Sequence, residues 1–75
     1  HPRSTPESLF REALELARRQ GAHLFELRAA MSLARLWRAH GRPDEAHDVL
    51  AGAYAWFTEG LDLHDLVQAR AMLAE

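Results

Sequence analysis

Polar and apolar residues follow one another with a helical period, most clearly between Leu24 and Phe57. Stepped at 100° per residue, Phe25, Leu27, Ala29, Ala30, Leu33, Ala34, Leu36 and Trp37 fall in one arc about 200° wide. A surface helix needs only about 100° of apolar face, so this helix is expected to have neighbours on two sides. Only Glu26 interrupts the arc. The remaining strip carries Arg28, Arg35 and Arg38, with Met31 and Ser32 between them. Gly41 suits the helix end, Pro43 the first turn of the next helix, and Asp44 and Glu45 the positive end of its dipole. That next helix has one apolar face, made by Ala46, Val49, Leu50, Ala53, Tyr54, Trp56 and Phe57.

The segments on either side repeat the pattern. Thr5-Pro6-Glu7 starts a helix with a capping hydroxyl, a proline and a carboxylate, and Ser4 with Glu7 offers an alternative capping box. Leu9, Phe10, Ala13, Leu14, Leu16 and Ala17 form its apolar face, and Gly21 ends it. Thr58-Glu59-Gly60 makes a second stop. Asp62 is expected to cap a fourth helix carrying Leu63, Leu66, Ala69, Met72 and Leu73. Helices are thus predicted near 6–20, 23–40, 43–58 and 62–74, after a disordered lead-in over 1–5; the pattern contains no strand-like alternation.

Two offsets relate the halves of the chain. Phe10-Ala13-Leu14-Ala17 matches Leu50-Ala53-Tyr54-Phe57 forty residues on, and Gly21-Leu24-Leu27-Ala30 matches Gly60-Leu63-Leu66-Ala69 thirty-nine residues on. Helix pairs recurring at that period mark an α-solenoid.

Composition narrows the function classes. Seventy-five residues hold at most one small domain, 48% hydrophobic and 27% charged, which is a globular balance. The formal net charge of −2 argues against a nucleic-acid protein held by phosphate contacts. There is no cysteine for a disulfide framework or a thiolate. The longest apolar run is too short to cross a bilayer and no signal peptide is visible, so a cytoplasmic location without membrane contact is expected.

Leu33-Ala34, Trp37, Gly41, Glu45-Ala46, Leu50 and Ala53 follow the spacing of a tetratricopeptide repeat. The chain resembles that family, with alanine at Ala30 and Ala34 where the family often has tryptophan and glycine. More narrowly, Arg28-Ala29-Ala30, Ser32-Leu33-Ala34-Arg35-Leu36-Trp37, Gly41-Arg42, Glu45-Ala46 and Tyr54-Ala55-Trp56-Phe57-Thr58-Glu59-Gly60 look like the C-terminal end of large bacterial regulators. Those join an ATPase domain, often with a nucleotide cyclase or transcription-factor domain, to a helical-repeat tail. The resemblance implies an all-α fold of antiparallel helix hairpins stacked as a solenoid fragment over 6–75. It also implies small residues, Ala34 and Ala46, where helices cross closely. The ATPase and cyclase motifs are absent from these residues.

Candidate chemistry is sparse. His40, Asp44 and His47 bracket the turn, but zinc wants three or four ligands in a closed shell, so solvated loop residues are the simpler reading. No nucleophile and base pair can be read around Ser32, and no Gly-rich phosphate loop is present. No catalytic, cofactor or metal residues are therefore expected, and the chain reads as a non-enzyme. The arginine strip is the feature that points to a ligand: Arg28, Met31, Arg35 and Arg38, placed by the resemblance on the concave face, could clamp the carboxylates of an acidic peptide. The expected function is a protein-interaction or scaffold module of a regulatory protein. The alternative is a helix-turn-helix pivoting at Gly41, opposed by Asp44, Glu45 and Asp48, which would face phosphates. A segment cut from a solenoid leaves raw ends, so a homodimer through Phe10 and Leu14 is also expected, or else a monomer in which the first helix folds against the fourth.

Overall fold

The computed structural model describes residues 5–74 as helices joined by short turns. The chain forms α1 (Pro6–Gln20), α2 (His23–Ala39), α3 (Pro43–Tyr54) and α4 (His64–Leu73), with no strand among the described residues. Residues 1–4, including the proposed Ser4 cap, lie outside the described residues.

Local chemistry accounts for the boundaries. Thr5 belongs to the helix start rather than to a lead-in. Its hydroxyl accepts from the Ser8 amide at 3.1 Å, and the Ser8 hydroxyl accepts from the Thr5 amide at 3.2 Å, a reciprocal capping box. Gly21 and Gly41 follow the ends of α1 and α2 with φ of +66° and +74°, a conformation that a side chain resists, while Gly60, at +66°, lies in the connection between α3 and α4.

Two expected ends move. α3 stops at Tyr54 rather than near residue 58, as the chain turns and the Phe57 amide bonds the Tyr54 carbonyl at 3.0 Å. Trp56 is thereby carried out of the apolar face and is 62% exposed. α4 begins at His64, so Asp62 is not its cap; Leu63 occupies that position without a side-chain bond.

α2 is the central element, packed against α1, α3 and α4, while the backbones of α1 and α4 stay apart. The monomer in which the first helix covers the fourth is therefore not the arrangement found. Glu7 at the start of α1 meets Trp37 at the end of α2, and Arg18 at the end of α1 meets Glu26 at the start of α2. These two helices therefore run in opposite directions. Leu27, Leu33, Leu50 and Leu66 are fully buried, each contributing about 1.5–3 kcal/mol by leaving water. Ala30, Ala34, Ala46, Ala53 and Ala69 are also at zero exposure, the small residues that let helices approach closely.

The buried arc of α2 is as wide as expected but turned by about 40°. Met31 is inside, 3% exposed, and Phe25 is outside, 65% exposed. The helical face of α1 is likewise split. Leu14 and Ala17 are buried and Phe10 packs on the core, whereas Leu9, Ala13 and Leu16 are exposed.

Candidate functional site

The arginine strip lies along the seam between α2 and α4. The Arg28 Nε donates to Asp65 Oδ2 at 2.8 Å, and the Arg28 guanidinium also sits 5.8 Å from the Phe25 ring. Arg38 donates from its Nη2 to the Met72 carbonyl in the last turn of α4. Arg35 is exposed on the same strip. Met31 is not available to a ligand, because α4 packs on its side of α2 and buries it. The start of α2 is thus tied to the start of α4, and the end of α2 to the end of α4. The two helices run side by side in the same direction. Asp65 stands in the first turn of α4, where a carboxylate is favoured by the helix dipole, and Arg38 meets a carbonyl at the opposite, negative end.

The residues expected at a self-association surface are placed differently. Leu14 is 5% exposed and Phe10 packs against the core, because α2 covers that side of α1. The side left open carries Leu9, 53% exposed, and Leu16, 47% exposed. A second apolar region gathers where α3 ends and α4 begins: Trp56, Leu61 and Leu63 are exposed there, and Trp56 stacks on His23 with ring centroids 4.3 Å apart.

Two polar clusters were not evident in the chain. Trp37 Nε1 donates to Glu7 Oε1 at 2.8 Å, and Arg42 Nη1 donates to the same oxygen at 3.1 Å. The guanidinium groups of Arg11 and Arg42 lie 5.4 and 4.8 Å from the Trp37 ring, so the indole is held by cations and a carboxylate together. Glu7 and Trp37 are thirty residues apart, and no local signal joins them. In the second cluster, Glu26 is 2% exposed and accepts from Arg18 Nε at 3.2 Å, with His23 Nδ1 at 3.6 Å. Arg18 and Glu26 flank the Gly21 turn, so their pairing could have been read from the turn's position. Between these clusters a depression of about 230 Å³ is lined by Arg11, Leu14, Glu15, Arg18, Leu33, Trp37 and Val49.

The first cluster titrates. The hydrogen bond from Trp37, ahead of the charges of Arg11 and Arg42, holds the Glu7 carboxyl below its ordinary value of 4.5, against an opposing contribution from desolvation. The hydrogen bond from Arg42 lowers Glu45 in the same way. A carboxylate with a lowered folded value binds fewer protons than in the unfolded chain. The stability it contributes is present above pH 4.5 and is lost as pH falls through the folded value. The melting temperature is therefore expected to drop on acidification below that point. Glu7→Gln, measured over the same series, should flatten the drop; a profile identical to the parent's would contradict the assignment.

His40, Asp44 and His47 are all exposed and do not converge. Among the described residues no three His, Asp or Glu side chains are grouped to hold a metal ion, and no helix is long and apolar enough to cross a membrane. Comparison of the chain with family models, with curated proteins and with solved structures finds no match.

Proposed function

We propose that this chain is a protein-interaction module built as a segment of a tetratricopeptide-like helical array, the scaffold part of a larger regulatory protein. The carrying observation is the apposition of α2 and α4. They run side by side in the same direction, tied at both ends by Arg28 and Arg38, with α3 packed against both. That is how the first helices of successive repeats stand in a solenoid. The register supports it. Gly21 and Gly60 share a φ of +66°, Leu27 and Leu66 are fully buried, and so are Ala30 and Ala69. Each member of these pairs is thirty-nine residues from the other.

The binding face in this reading is the α2–α4 seam. Arg35 is its open cation, and Arg28 can exchange Asp65 for a ligand carboxylate, since its side chain is 54% exposed. An acidic peptide is the matching partner. Fluorescence anisotropy with a labelled Glu-rich peptide tests this. Saturable binding is expected, weakened by Arg28→Glu with Arg35→Glu and absent for a Lys-rich peptide of equal length. Failure of the acidic peptide to bind, or binding indifferent to the double substitution, would remove this face.

A further inference from the structure

We propose that a second copy of this chain covers the outer stripe of α1, the two α1 helices lying antiparallel about a two-fold axis. This goes beyond the array reading and stands on α1 alone.

By helical step, the apolar arc of α1 is about 160° wide. α2 covers only the half holding Phe10, Leu14 and Ala17. The other half, Leu9, Ala13 and Leu16 with Gln20 beyond them, stays exposed. These residues repeat at intervals of four, three and four, the seam spacing of paired helices.

The charges beside the stripe choose the partner. Glu12 and Arg19 stand seven residues apart on one flank, both exposed, and neither has a hydrogen bond or ion pair among the described residues. In an antiparallel pair, Glu12 of one copy faces Arg19 of the other, and the two-fold axis makes that ion pair twice. The same register sets Ala13 against Leu16 of the second copy, a small residue against a large one. A parallel pair would leave both charges unmatched. Leu63, which caps α4, and Val67 within it are also exposed, but the acid that α4 itself carries, Asp65, faces Arg28 in this chain. One helix of 15 residues from each copy gives a small interface, of the kind that associates reversibly in the micromolar range.

Sedimentation equilibrium over the micromolar range tests the proposal, with circular dichroism confirming that each variant keeps its helicity. The parent should be a dimer, and Leu16→Glu should raise the dimer dissociation constant by about tenfold or more. Glu12→Arg and Arg19→Glu should each be monomeric alone, because like charges then meet twice. Mixed in equal amounts, they should form a heterodimer, because every opposed pair is complementary again. A parent that stays a single 8.5 kDa species would overturn the proposal. So would a dimer that survives both charge reversals, which would place the contact on α4 or elsewhere. Loss of dimer in both variants without rescue on mixing would overturn the two-fold arrangement.

Discussion

Trp37→Ala is expected to cost about 3–5 kcal/mol, the range for removing a large aromatic from a packed site. The indole is 7% exposed, and its loss also strands Glu7 and the guanidinium groups of Arg11 and Arg42 that gather on it. A chain of this length has a total stability of about 4–11 kcal/mol, so the variant should lose a large share of it. Trp37→Phe separates the two causes. It keeps an aromatic ring and most of the buried area but removes the hydrogen bond to Glu7, so it should cost less, about 1–3 kcal/mol. Urea unfolding followed by circular dichroism measures both. A midpoint for Trp37→Ala equal to the parent's would show that α1 is not fastened to α2 through this side chain.

The second large effect compares two leucines thirty-nine residues apart. Leu27→Ala and Leu66→Ala each empty a fully buried site and should each cost about 2–5 kcal/mol. Leu27 lies on the helix that packs against all three others, so its surroundings collapse least and its loss should fall in the upper part of that range. Leu66 lies on α4, which meets only α2 and α3, and should fall in the lower part. The reverse order in urea midpoints would contradict the central position of α2.

Much of this arrangement was legible because the signals are local. Proline at residues 6 and 43 opened α1 and α3, and glycines at 21 and 41 closed α1 and α2, whereas α3 ends at Tyr54, well before Gly60. The width of the buried arc of α2 was legible too, since it follows from periodicity. Its direction was not: a helical wheel of α2 does not contain α4, which draws Met31 inward and leaves Phe25 in solvent. The overrun of α3 has a similar origin. Trp56 and Phe57 continue the apolar spacing, yet the chain turns after Tyr54 and lays Trp56 on His23 instead. Glu26 looked like a defect in an apolar arc, and it is a buried carboxylate supplied with Arg18 from the preceding helix. The arginine strip was legible as a group of cations, but not that two of its members reach α4, because Arg28 and Asp65 are separated by thirty-seven residues. For the same reason the sequence could not show that α2 covers Phe10 and Leu14 and leaves Leu9 and Leu16 open. Apolar spacing identifies a face, and only the neighbouring helix decides which part of it remains open.

The central claim is that α2 and α4 are corresponding elements of a repeating array. Inserting a second copy of residues 21–59 directly after residue 59 tests it most directly, by circular dichroism and urea unfolding of the lengthened chain. If the unit repeats, the insert stacks between its neighbours and buries its own apolar face. Helicity per residue should then be maintained, and the urea midpoint should rise above the parent's. An insert that lowers the helicity per residue and leaves the midpoint at or below the parent's would contradict the account.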